Sequence, residues 1–182
     1  MLPALLSARR ASRCIRIWCA AASSGQEPYS LAMMLKELDR DLPGWRIELL
    51  ATDLSGDVLE RARQGIYSQF EVQRGLPIQL LIKYFTQVGD MWQIAPEIRA
   101  MVKFQQFNLL ADFARLGVFD LIFCRNVLIY FDQDTKRTVL GRMAKLMPQD
   151  GVLYLGGAET VLGVSERFKP VTGQRGVYAT AA

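Results

Sequence analysis

Asp53 closes the run Arg46-Ile47-Glu48-Leu49-Leu50-Ala51-Thr52, an apolar segment that reads as a strand. A carboxylate at the end of the second strand of a β-α-β unit can hold the ribose hydroxyls of a nucleoside. The first strand of such a unit is present as Ile15-Arg16-Ile17-Trp18, followed by the small-residue stretch Cys19-Ala20-Ala21-Ala22-Ser23-Ser24-Gly25. Small residues there let a ligand approach the backbone closely. Leu31, Met34, Leu35 and Leu38 then recur at helical spacing, and Pro28 in the first turn fixes the start of that helix. The pattern predicts a nucleoside site. Because the turn lacks G-x-G-x-x-G, tight packing is the competing explanation. Asp53 can also cap the next helix, and Glu27 can serve the dipole of its own; these roles are compatible with ligand binding.

A second cluster lies in Phe119-Asp120-Leu121-Ile122-Phe123-Cys124-Arg125-Asn126-Val127-Leu128-Ile129-Tyr130-Phe131-Asp132. Arg125 and Asn126 fall just beyond the carboxyl end of its strand, where ligands bind in open α/β sheets. Asn126 is the stronger candidate, since Arg125 can pair with a nearby acid instead. Tyr130 reads either as a site residue or as part of an aromatic core cluster with Ile129 and Phe131.

The elements that must position these residues alternate along the chain. Strands are predicted near 15–21, 46–52, 101–107, 119–124, 151–156 and 175–180, and helices near 28–40, 55–64, 77–84 and 133–147. That order predicts an α/β layer fold with a mostly parallel sheet flanked by helices. The last long helix is capped by Asp132 and carries the stripe Val139, Leu140, Met143, Leu146 and Met147. Pro170 and Gly173-Gln174-Arg175-Gly176 predict a returning hairpin. More than thirty residues separate Arg63 from Met101, too many for a plain connection. A helix from Pro77 and two short segments joined across Gly89-Asp90 predict a small inserted antiparallel subdomain, about 65–100.

At 182 residues the chain suits one domain, 1–182, and 51% hydrophobic with 22% charged residues is ordinary for a soluble globular protein. No apolar stretch approaches the ~18 residues of a membrane span. Three unpaired cysteines predict free thiols in a reducing compartment, hence the cytoplasm. The absence of histidine excludes His-based triads, and no metal site is expected. Arg9, Arg10, Arg13 and Arg16 precede the first acid, Glu27, and residues Leu2 to Arg10 read as a short amphipathic helix leading into the first strand. They read either as a solvated face or as a contact for an anionic partner.

Taken together, W-C-A-A-A-S-S-G-Q-E-P-Y-S, A-T-D, F-N-L-L and F-C-R-N-V-L-I-Y-F resemble the CheR family of chemotaxis-receptor methyltransferases, in order from about Ile15 to Tyr178. The resemblance implies a Rossmann-like class I methyltransferase fold whose last strand is antiparallel. It implies S-adenosylmethionine as cofactor, S-adenosylhomocysteine as product and receptor glutamates as acceptors. Glu27, Asp53, Asn108, Leu109, Arg125 and Asn126 match cofactor-binding positions, with Asp53 on the ribose and Asn108-Leu109 at the adenine edge. A strand-end turn is the plainer explanation for Asn108-Leu109. Tyr130 matches a tyrosine beside the transferred methyl. The cytoplasmic domain of chemotaxis receptors is the implied partner, with no nucleic acid and no membrane insertion. The short hairpin turn resembles members that do not depend on a receptor pentapeptide.

The expected chemistry needs no histidine. A glutamate with pKa about 4.3 is already a nucleophile at neutral pH, and a thioether leaves a sulfonium without acid assistance. The family's N-terminal helical domain and its Asn-x-Thr-x-x-x-Arg linker are not found before Trp18, so a truncated chain with an open pocket is expected. A non-catalytic domain that binds the cofactor or its product is the alternative. A nucleic-acid methyltransferase, suggested by a pI of about 9.1, is disfavoured because Cys124-Arg125-Asn126-Val127 replaces an Asn-Pro-Pro-aromatic motif.

Overall fold

The computed structural model describes residues 2–38 and 42–181. In chain order its elements are α1 (Leu2–Ala8), β1 (Cys14–Cys19), α2 (Gln26–Glu37), β2 (Arg46–Asp53), α3 (Gly56–Gln64), β3 (Ile66–Ser68), α4 (Gln69–Gln73), α5 (Ile78–Tyr84), β4 (Phe85–Val88), β5 (Met91–Ile94), α6 (Pro96–Arg99), β6 (Val102–Gln106), β7 (Leu121–Cys124), α7 (Gln133–Lys145), β8 (Val152–Leu155), β9 (Phe168–Pro170) and β10 (Val177–Thr180). Short 3-10 turns cover Ala114–Leu116 and Leu128–Tyr130.

The main sheet has the order β6-β2-β1-β7-β8-β10-β9. The first five strands are parallel, β10 runs antiparallel to β8, and β9 pairs antiparallel with β10. The order of elements predicted this mostly parallel sheet, and the family resemblance implied its reversed last strand. β1 is central and buried on both faces. Ile15, Ile17 and Cys19 enter the core under α2, while Trp18 points to the core under α7. There Trp18 meets Phe107 and Phe113 edge-on, and its indole N–H donates to Thr52 Oγ1 at 2.9 Å. A buried indole that finds its acceptor adds apolar area with no polar penalty. Strand order reverses between β1 and β7, and ligands enter such sheets at the carboxyl ends beside that switch point.

The inserted subdomain is a three-stranded sheet, β3-β5-β4, with α4 and α5. β4 and β5 join through Gly89-Asp90, and Gly89 has φ 60°, the positive first position of a type II′ turn. β3 and α4 were not predicted. At three and five residues they are too short to show periodicity.

Helix α2 corrects the sequence reading. Its buried residues are Pro28, Tyr29, Ala32, Met33 and Leu35, whereas Met34 is 58% exposed. Small Ala32 lets the helix approach the sheet, and the Tyr29 hydroxyl is satisfied by the Ala62 carbonyl at 2.7 Å. The hydrophobic stripe is therefore turned relative to Leu31-Met34-Leu35-Leu38. The last positions of the predicted helix, 39 and 40, lie outside the described residues.

At the amino edge of the sheet, Arg9 donates to Asp120 at 2.7 Å and forks onto both oxygens of Asp150 at 2.8 and 2.6 Å. Arg16 pairs with Glu48 at 2.7 Å and lies over the Phe119 ring. Two of the four early arginines thus serve the fold. No helix among the described residues is long and apolar enough to cross a membrane.

Candidate functional site

A cleft of about 740 Å³ opens at the carboxyl edge of the sheet. One wall is the β1–α2 turn, including Ala21, Ala22, Ser23 and Glu27, with Asp53 at the end of β2. The opposite wall comes from the subdomain, with Tyr67, Arg74 and Phe85, and the mouth carries Arg125, Asn126 and Tyr130. Five of the seven residues singled out from sequence therefore line one cleft. A second groove, about 1080 Å³ over β1, β2 and β6, contains none of them.

The turn has a defined shape. Gly25 adopts φ 89° and caps α2 by its backbone alone. A Cβ there would meet Ala62 at 3.0 Å and the Tyr67 hydroxyl at 3.2 Å. Tyr67 donates to the Ser24 carbonyl at 2.8 Å, tying the subdomain to the turn. Ser23, at φ 48°, donates its backbone N–H to Asp53 Oδ2 at 2.9 Å, and Asp53 Oδ1 accepts from Ser55 N–H at 3.1 Å. The cap of α3 is Ser55, which accepts from Val58 N–H. Two bonds occupy about half of a carboxylate's acceptor capacity, so Asp53 retains lone pairs for a pair of hydroxyls.

Glu27 accepts from Arg125 Nη1 at 2.7 Å, the acid partner anticipated for Arg125. Burial raises the Glu27 carboxyl pKa, Arg125 opposes the rise, and the charge of Glu159 adds to it. Cys19 and Cys124, at the ends of β1 and β7, feel the charge of Glu27, and burial pushes both thiols up, so they stay protonated. Asn126 takes φ 59°. Tyr130 is 79% exposed and belongs to no core cluster, which removes the packing explanation for it.

Asn108 and Leu109 are not among the cleft-lining residues. Asn108 Oδ1 accepts from Leu110 N–H at 2.8 Å, and Leu109 is buried near Trp18 and Phe113. Their turn follows β6, which pairs with β2 up to Asp53, so it flanks the Asp53 end of the cleft. One further residue has no sequence forecast: Glu159, buried behind the Arg125–Leu128 turn and bonded to its backbone. Its only trace is a lone acid after the small-residue turn Gly156-Gly157-Ala158.

The donor set can be tested against the expected ligand. Three carboxylates line the cleft, Glu27, Asp53 and Glu71, the last already held by Ser68 and Arg61. With a backbone turn of small residues and an exposed phenol they suit a cationic nucleoside with free hydroxyls. Arg125, already paired, and Arg74 are the cations on the wall, a poor set for a phosphate chain.

Fold and cleft define the class, a Rossmann-like methyltransferase domain. In agreement, a TehB-like S-adenosylmethionine-dependent methyltransferase from Corynebacterium glutamicum superposes with a TM-score of 0.56 at 17% identity, over 98% of this chain and 86% of its own. The family profile described as CheR methyltransferase, SAM binding domain, matches residues 1–177. Chemotaxis protein methyltransferase 1 of Pseudomonas aeruginosa is 40% identical over 185 residues, covering 100% of this chain and 67% of its own. The chemotaxis protein methyltransferase of Escherichia coli is 41% identical over 165 residues, covering 88% of this chain and 57% of its own. The chain belongs to the CheR methyltransferase family, and S-adenosylmethionine is its cofactor. It spans roughly 53–67% of the length of the curated relatives it matches.

Proposed function

We propose that the chain is the cofactor-binding and catalytic part of a cytoplasmic protein-glutamate O-methyltransferase. It transfers a methyl group from S-adenosylmethionine to glutamate side chains on the cytoplasmic domain of chemotaxis receptors, giving methyl esters and S-adenosylhomocysteine. The observation that carries this reading is the convergence of Glu27, Asp53 and Tyr130 on one cleft in a chain of this family. When bound, S-adenosylmethionine supplies an electrophilic methyl on a sulfonium that leaves as a neutral thioether.

The residues then divide the work. Asp53 accepts the ribose hydroxyls with its remaining lone pairs. Glu27 offers a counter-charge to the cationic end, with Arg125 holding it ionised. Asn108 and Leu109 serve the adenine edge from the turn after β6, and Asn126 closes the pocket beside Arg125. Tyr130 orients the incoming carboxylate or offers its ring face to the sulfonium. The acceptor is ionised at neutral pH, so no general base is required, and placing it in line is the main task. The two-residue Gly89-Asp90 turn supports receptor recognition without a C-terminal pentapeptide.

Calorimetric titration with S-adenosylmethionine and S-adenosylhomocysteine, followed by radiolabelled transfer to receptor-bearing membranes, tests this reading. Label released as methanol by mild alkali identifies an ester. Binding with no transfer would mark a non-catalytic cofactor-binding domain, and alkali-stable label would place the methyl elsewhere.

A further inference from the structure

Glu159 is 8% exposed and forms no ion pair among the described residues. A buried carboxylate without a cation is costly unless strong donors surround it. Glu159 has four. Its Oε1 accepts from the backbone N–H groups of Val127 at 2.9 Å and Leu128 at 2.7 Å. Its Oε2 accepts from Asn126 at 2.8 Å and Gly156 at 2.7 Å. Three of these donors belong to the turn that carries Arg125 and leads into the Tyr130 segment.

The surroundings are fitted to this contact. A Cβ at position 156 would lie 2.7 Å from Glu159 Oε2 and 3.0 Å from the Asn126 nitrogen, so glycine is what lets the carboxylate reach the turn. Asn126 is held at φ 59°, a region that asparagine tolerates better than most residues but does not prefer. Packing alone would be served as well by an apolar side chain of similar size. The charge also reaches the site, since it contributes to the raised pKa of Glu27.

We propose that Glu159 is the positioning residue of the cleft: an anionic clamp whose four backbone bonds fix the Asn126 turn in the form that binds the cofactor. The proposal rests on the cofactor site described above. It extends that site to a residue that touches no ligand and acts through the turn.

The test compares the full chain with Glu159→Gln and, as a control, Arg9→Ala, which breaks the clamp onto Asp120 and Asp150 at the opposite edge of the sheet. A glutamine keeps the shape but has one acceptor oxygen and turns its NH₂ toward N–H donors, so at most two of the four bonds survive. Hydrogen exchange of individual amides and the Kd for S-adenosylmethionine and S-adenosylhomocysteine are measured well below the melting temperature of every variant. In Glu159→Gln the Asn126, Val127 and Leu128 amides are expected to exchange roughly tenfold faster or more. Both ligands are expected to bind roughly tenfold more weakly, the factor for one lost bond to a charged group. Arg9→Ala is expected to lower the melting temperature and leave both readouts unchanged.

Unchanged exchange, or faster exchange with unchanged Kd, overturns the proposal. If Glu159→Gln does not fold, Gly156→Ala displaces the carboxylate from the other side and is judged by the same readouts. A wild-type chain that binds neither ligand sinks the cofactor reading, while freed amides in the variant would still uphold the clamp on the turn.

Discussion

Burial raises the Glu27 carboxyl while Arg125, 2.7 Å away, holds it down, and the balance is a net rise. The native state therefore binds this proton more tightly than the unfolded chain, whose glutamate titrates near about 4.3. Ionised Glu27 is a cost to the unliganded fold at neutral pH, and that cost fades as pH falls through the raised value. Glu27→Gln should thus leave the melting temperature at pH 7 unchanged or higher, while weakening S-adenosylmethionine roughly tenfold. A clear drop in melting temperature would show that the Arg125 pair stabilises more than burial costs. In the wild type, affinity should decline on acidification at a pH above the usual glutamate range, as calorimetry across pH would show. Asp53→Ala removes the acceptor of the ribose hydroxyls, and a loss of at least about a hundredfold in affinity is expected; unchanged affinity would sink the ribose assignment. Tyr130→Phe should slow transfer about tenfold with Kd nearly constant, because an exposed phenol with no partner among the described residues acts on what enters the cleft. A pure loss of affinity would move it away from the transferred methyl.

Among the elements, Gly65 joins α3 to β3 at φ 63°, and a Cβ there would stand 2.5 Å from Ile94 Cγ2. Gly65→Ala is expected to destabilise the fold by well over about 1 kcal/mol, read as a lower midpoint in urea, because strain and overlap act together. β9, the three residues Phe168-Lys169-Pro170, was too short to stand out, but six of the seven strands of the main sheet were legible as runs bounded by turn residues, and α7 because Asp132 and a regular stripe frame it. The face of α2 was not, since leucines and methionines on a helix look alike until Tyr29 finds the Ala62 carbonyl. At the site, Asp53 was legible from its place at a strand end. Glu159 was not, because three of its four partners are backbone groups 31–33 residues earlier in the chain, and backbone donors leave no mark on spacing.

For the molecule as a whole, the cleft is shared between the main sheet and the subdomain, and the Tyr67 hydroxyl on the Ser24 carbonyl joins the two walls. Cys19 and Cys124, the last residues of β1 and β7, are both buried, while Cys14 on the same strand as Cys19 is only partly covered. The protein accordingly carries its own stopwatch. An alkylating reagent should mark Cys14 promptly and the other two only when the sheet opens at the ends of β1 and β7, so mass spectrometry over time reads the opening frequency without any label. A saturating nucleoside ligand, at a hundred times its Kd, should slow the two hidden thiols by about a hundredfold and leave Cys14 on its former schedule.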